Sequence, residues 1–179
     1  GANQAGAPAA VVTFFPHPQL VLQGESRPYY LTLPATRAQL MGELGVDLVL
    51  THPLDLATSR LSAREFISGL HRQFQFQKLL IGYDFALGKD RGGTGQVLRE
   101  IGLELGFEVE EIPAYYQEGE LVSSSRIRRL LRAGEVKRAA GLLGRNHQIS
   151  GLVVEGENRG KGLGFPTSNL QVDPQLVDI

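Results

Sequence analysis

The feature that most constrains this chain is an alternation of short apolar runs with segments of helical period. Ala9-Ala-Val-Val-Thr-Phe-Phe15, Val46-Asp-Leu-Val-Leu-Thr51, Lys78-Leu-Leu-Ile-Gly82 and Phe107 to Ile112 read as buried strands. Between them lie helices over Ala35 to Leu44, closed by Gly45, and from the Ser62-Ala-Arg-Glu65 capping box to about Gln73. A third helix runs over Gln96 to Leu105, where Gly106 stops it. Strands alternating with helices predict an α/β fold, a Rossmann-like unit whose parallel sheet is covered on both faces. In such a sheet ligands sit beyond the carboxyl ends of the strands. That rule places Phe15-Pro-His-Pro, Gly82-Tyr-Asp-Phe and the serine-rich stretch near residue 123 on one edge.

Composition bounds what that edge can do. A net charge of −1 over 179 residues gives no general footprint for nucleic acid, so any anion affinity is local. No cysteine occurs, which excludes disulfides and cysteine nucleophiles and fits a reducing compartment. The sequence shows no apolar run of transmembrane length and no secretory signal pattern, so a soluble, cytoplasmic protein is expected. His17, His52, His71 and His147 are scattered and share no metal-ligand spacing.

The local anion site is Leu121-Val-Ser-Ser-Ser-Arg-Ile-Arg-Arg-Leu-Leu-Arg132. Ile127, Leu130 and Leu131 recur at helical spacing, and any of Ser123, Ser124 and Ser125 can cap the helix start. The orphan amides there and the helix dipole favour a phosphate. Arg126, Arg128, Arg129 and Arg132 follow, with no acid between Glu120 and Glu135. Arginine's planar fork suits phosphate oxygens in pairs. Taken alone, the stretch reads as well as a capped surface helix with a solvated basic face.

Other motifs are individually weak. Phe14-Phe-Pro-His-Pro18 reads as a strand stop or as a rigid mount for His17. Asp84 reads as a turn residue or as a ligand contact. The phosphate-binding P-loop is absent, since Gly82 and Gly88-Lys89-Asp90 have the wrong spacing and no hydroxyl. After Gly144 the texture changes to the alternating His147 to Val154, a Gly-rich run and Pro166-Thr-Ser-Asn169. Residues 146–179 cannot bury a core alone and read as the beginning of a second, β-type domain after an α/β domain over 1–145.

The order of these motifs is specific. Thr13-Phe-Phe-Pro-His-Pro, Gly82-x-Asp-Phe-x-x-Gly, Val122-Ser-Ser-Ser-Arg-Ile-Arg, Leu143-Gly-Arg and Gly160-x-x-x-Gly-Phe-Pro-Thr-Ser-Asn together resemble the bacterial bifunctional riboflavin kinase/FMN adenylyltransferases. The resemblance runs over essentially the whole chain. It implies a nucleotidyltransferase domain that transfers AMP from ATP to FMN, giving FAD and pyrophosphate. It further implies the start of a β-barrel that phosphorylates riboflavin with ATP and Mg²⁺.

By position, the resemblance assigns Ser123, Ser124, Ser125, Arg126 and Arg128 to the ATP phosphates. It assigns His17 and Asp84 to the flavin side, and Thr167 and Asn169 to Mg²⁺ and ATP in the kinase part. The sequence departs from the family pattern at Phe15, where an acid is usual, and at Leu87, Ser125 and Ser168, where Phe, Thr and Ala are usual. The family's first strand and His-x-Gly-His motif are expected before Gly1, and the later barrel strands and catalytic Glu after Ile179. On that expectation the 179 residues alone form neither FAD nor FMN. Two other readings stand beside this one. One is another adenylyltransferase of the same superfold, such as one acting on pantetheine phosphate. The other is a non-catalytic flavin- or nucleotide-binding module.

Overall fold

A computed structural model describes residues 6–23, 29–156 and 167–177. Contacts divide the chain into two compact units. The first comprises residues 1–25 and 41–121, the second residues 26–40 and 122–179.

In the first unit, β1 (Ala10–Phe15) pairs in parallel with β2 (Leu48–Pro53), Val12 opposite Leu50. β3 (Lys78–Gly82) pairs in parallel with β4 (Glu108–Ile112), Leu80 opposite Glu110. The expected strands therefore form two small parallel sheets, and the fold is mixed α/β. α1 (Pro18–Gln23) follows β1 directly, and α2 (Pro34–Glu43) precedes β2. α3 (Leu56–Arg60) leads to α4 (Ala63–Phe74), and α5 (Gly95–Leu105) stands between β3 and β4.

α4 begins where its sequence demands. Ser62 Oγ accepts from Glu65 N at 3.2 Å and Glu65 Oε2 accepts from Ser62 N at 2.8 Å, so two orphan donors are satisfied reciprocally. Its Phe66 and Ile67 join Leu98 and Ile101 of α5, Ile81 of β3 and Phe107 in one core, with Phe14 of β1 against it. The fully buried Ile67, Leu98 and Ile101 anchor that core.

Helices on both faces of the sheet were expected, and the described residues correct this. In β3 alternate residues face solvent and core: Leu80 is 57% exposed, while Leu79 and Ile81 on the other face pack with α4 and α5. In β1, Phe14 packs against that core, whereas Val12 on the same face is 38% exposed. α2, which the alternation assigns to the sheet, has no buried residue and is grouped as far as Leu40 with the second unit. Periodicity shows that a helix exists but not which unit it packs with.

Two of the scattered histidines have a packing role. His52 lies 5.3 Å from the Phe66 ring, and His71 lies 5.0 Å from Phe76 and 5.2 Å from Phe107. Among the described residues no group of three or more His, Cys, Asp or Glu side chains could hold a metal.

The first unit ends in the short antiparallel hairpin of β5 (Tyr116–Gln117) and β6 (Glu120–Leu121). The second unit is built on α6 (Ser124–Arg132) and α7 (Val136–Leu143), with the antiparallel hairpin β7 (Gly151–Val154) and β8 (Asn169–Val172). Ile127, Leu130 and Leu131 of α6 share a core with Ala139 and Val177.

Candidate functional site

The serine–arginine stretch forms the helix its pattern predicts, and Ser123 is the cap. Ser123 is extended, with φ −149° and ψ 151°, and its Oγ accepts from Arg126 N at 3.3 Å. Ser124 and Ser125 become the first helical residues, and their amides are among the helix's orphan donors. Both side chains are exposed, and no acid lies in the first turn. No carboxylate of the first turn itself offsets the positive end of the dipole. The apolar stripe buries Ile127, Leu130 and Leu131, which holds the helix against its unit and turns Ser125 and Arg129 outward.

Arg128 is held at two points. Its Nη1 donates to Ser125 Oγ at 3.3 Å, and its Cζ lies 4.0 Å from the centroid of the Tyr29 ring. Sequence reasoning missed Tyr29 because nothing near it in the chain signals a partner on α6. Close by in sequence, Arg37 donates to Thr32 O at 3.1 Å. Burial lowers its pKa from the ordinary arginine value, while Tyr30 acts in the opposite sense.

His17 and Asp84 belong to the first unit. His17 stands two residues beyond β1, and its carbonyl accepts from Leu20 N at 2.9 Å, opening α1. Asp84 stands two residues beyond β3, in a turn closed by Phe85 N donating to Gly82 O at 3.0 Å. Its carboxylate is exposed and accepts no hydrogen bond among the described residues, so it does not serve its own turn. Both residues follow the carboxyl ends of parallel strands, where ligands of α/β sheets sit.

The loop after Asp84 is pinned. Arg91 Nη2 donates to Asp84 O at 3.2 Å, and Leu87 and Gly93 exchange backbone bonds of 3.3 and 2.9 Å. Lys89 N donates to Leu61 O at 2.8 Å, tying the loop to the start of α4. Gly88, at φ 76°, approaches so closely that a Cβ would lie 2.5 Å from Ala63 N. Only glycine fits both that space and that backbone.

Thr167 and Asn169 belong to the second unit, Asn169 at the start of β8 opposite Val154. Both are exposed. The Asn169 amide lies over Gly156, where an added Cβ would stand 2.0 Å from Asn169 Nδ2. Of the motif containing these two residues, Gly160 to Pro166 falls outside the described residues.

Residues 1–126 match the family model of FAD synthetase. The chain belongs to the FAD synthetase family. Residues 143–178 match the riboflavin kinase model. Among curated relatives of the chain, the bifunctional riboflavin kinase/FMN adenylyltransferase of Listeria monocytogenes is 32% identical over 177 residues. That alignment covers 98% of this chain and 56% of the relative. The enzyme of the same name from Pseudomonas fluorescens is 36% identical over 179 residues, covering 99% and 57%. The Escherichia coli K12 enzyme is 33% identical over 175 residues, covering 96% and 55%. The chain thus spans a little over half the length of these relatives. A solved structure named as a macrolide-efflux protein from Streptococcus pneumoniae superposes with a TM-score of 0.85 at 29% identity. It matches 97% of this chain and 57% of that one.

Proposed function

We propose that this chain carries the AMP-transferring part of a bifunctional enzyme of FAD synthesis. In the reaction a phosphate oxygen of FMN attacks the α-phosphorus of ATP. The bond to the β-phosphate breaks, and FAD and pyrophosphate leave. The observation that carries the reading is the α6 start, where a serine cap, orphan amides, an acid-free first turn and Arg126 and Arg128 coincide within the FAD synthetase match. Such a helix start neutralises charge developing on pyrophosphate as the phosphoryl group transfers. Ser123, Ser124, Ser125, Arg126 and Arg128 are read as contacts to ATP phosphate, and His17 and Asp84 as contacts on the flavin side.

The architecture proposed is a Rossmann-like nucleotidyltransferase over 1–145, then the start of a riboflavin kinase barrel over 146–179. The two family matches, ending at 126 and beginning at 143, support that boundary. In the barrel Thr167 and Asn169 would hold Mg²⁺ with the phosphates of ATP. The donor set fits. A hydroxyl and an amide oxygen are hard neutral ligands, and an ion held mainly by phosphates and water needs no carboxylate cage. When bound, Mg²⁺ would offset phosphate charge in riboflavin phosphorylation.

A cytoplasmic location fits the absence of cysteine. An efflux role has no comparable support, since among the described residues no helix is long and apolar enough to cross a membrane.

The test is FMN adenylylation by the full-length protein carrying Arg126→Ala or Arg128→Ala. Each charge-assisted phosphate contact contributes about 1.5–3 kcal/mol, so kcat/KM for ATP falls roughly ten- to a hundredfold. Wild-type kinetics in both variants would reduce α6 to a surface helix.

A further inference from the structure

We propose that Tyr29 is a positioning residue for Arg128, and that the segment Asp173–Val177 fixes it in place. The segment lies in the stretch that matches riboflavin kinase, so that match supplies part of the scaffold for the ATP helix of the adenylyltransferase. The inference rests on the reading of α6 as the helix that takes ATP phosphate.

All the groups concerned belong to the second unit. The Tyr29 ring is buried, 7% exposed, and presents its face to Arg128 Cζ at 4.0 Å. A guanidinium over an aromatic face is attracted by the ring quadrupole. With Nη1 also donating to Ser125 Oγ, the head group is held from two sides on the first turns of α6. Arginine carries large rotamer entropy, and holding the head before ATP arrives removes part of the ordering that binding otherwise requires.

The ring is fixed in turn by a clasp from the far end of the chain. Tyr29 N and Tyr30 N both donate to Gln175 O, at 2.8 and 2.9 Å, and Val177 N donates to Tyr30 O at 2.9 Å. Asp173 Oδ1 accepts from Gln175 N at 2.8 Å and so shapes the turn that offers the Gln175 carbonyl. Tyr30 stands edge-on to Tyr29, with ring centroids 5.9 Å apart. Val177, 3% exposed, enters the core beneath α6 beside Ile127, Leu130 and Leu131. Only three residues separate β8, which begins at Asn169, from Leu176 and its bridge to Tyr30.

The experiment is a double-mutant cycle in the full-length protein, reading both KM for ATP in FMN adenylylation and the ATP dissociation constant by calorimetry. Tyr29→Leu removes the aromatic face and raises both about two- to fivefold, the range for a cation–π contact at a partly exposed site. Tyr29→Phe keeps the face and keeps wild-type values. In an Arg128→Ala background Tyr29→Leu adds nothing, because coupled residues lose their joint effect once. Equal effects of Tyr29→Leu in both backgrounds would overturn the proposal by giving the ring a purely structural role. If Arg128→Ala itself changes neither quantity, the phosphate-helix reading falls and takes this inference with it. If Arg128→Ala acts and Tyr29→Leu does not, the inference alone falls. Should Tyr29→Leu fail to fold, phenylalanines of increasing fluorination at position 29 keep the shape while weakening the negative ring face. KM for ATP then climbs with fluorine number, and a flat series would overturn the proposal.

Discussion

Gly88→Ala and Gly69→Ala are the same change in chemistry, and the structure gives them opposite signs. Gly88 adopts φ 76° and ψ 176°, a region essentially reserved for glycine, where another residue costs about 1–3 kcal/mol. An added Cβ would also stand 2.5 Å from Ala63 N and 3.0 Å from Ala63 Cα. Those are backbone atoms at the start of α4, in a turn fixed by the Ser62–Glu65 capping box, so they cannot swing aside like a side-chain tip. Overpacking of this kind costs about 1–3 kcal/mol, and the two effects together come to about 2–6 kcal/mol. The loop has to lift, and the Lys89 N to Leu61 O bond breaks as it does.

Gly69 sits inside α4, with nothing among the described residues within 4 Å of the added methyl. There alanine stabilises by about 0.5–1 kcal/mol, because glycine loses more backbone freedom on folding. In the full-length protein Gly88→Ala is expected to lower Tm by roughly 5–15 °C and Gly69→Ala to raise it by roughly 1–4 °C. Hydrogen exchange over residues 83–95 separates loop release from global loss, and faster exchange at Lys89 is the signature. A Gly88→Ala protein with unchanged Tm and protection would refute the reasoning, as would shifts of the same sign in both variants.

Three further outcomes follow from the two units. Asp84→Ala raises KM for FMN or lowers kcat while circular dichroism stays that of the wild type, since the exposed carboxylate accepts no hydrogen bond among the described residues; unchanged turnover and FMN titration would remove Asp84 from the flavin side. Asn169→Ala in the full-length protein abolishes riboflavin phosphorylation and spares FMN adenylylation, read on one preparation by separating riboflavin, FMN and FAD; loss of adenylylation alone would put the residue in the other site. The Ser62 bonds hold the Glu65 carboxyl below its usual pKa, so its contribution to α4 is present above the unfolded value of about 4.3 and is lost as pH falls through the lower folded value. Glu65→Ala should therefore flatten the acid limb of Tm against pH below about 4, and an unchanged limb would deny the capping box that role.

What could be read from the sequence was local. Lys78–Gly82 is a strand with the bounds its apolar run suggests, and the Ser62 box and the Ser123 cap stand at the helix starts their side chains favour. The misses are also physical. Pro18 reads as a strand stop, yet proline suits the first position of a helix, and α1 begins on it. Asp55 caps the five-residue α3, its Oδ1 accepting from Thr58 N at 2.7 Å, but so short a helix leaves no period to detect. The hairpin of Tyr116–Gln117 with Glu120–Leu121 turns through Glu118 at φ 52° and Gly119 at φ 78°. Two positive φ values in a two-residue loop usually announce themselves as Asn-Gly or Asp-Gly, and Glu-Gly does not.

The candidate site divides along the same line. Ser123 to Arg128 carries its own instructions, because a cap, a stripe and a charge cluster fit within a few turns of helix. What steadies Arg128 does not: Tyr29 lies far upstream, and the carbonyl of Gln175 that holds Tyr29 lies far downstream. Neither residue belongs to a motif, since an aromatic ring and a backbone carbonyl are chemically ordinary until folding sets them side by side. A motif names the groups that meet the substrate. The contacts that set their angle are spread over the chain and become visible only in three dimensions, so mutations outside every recognisable motif, at Tyr29 or Asp173, are expected to reach ATP use through Arg128.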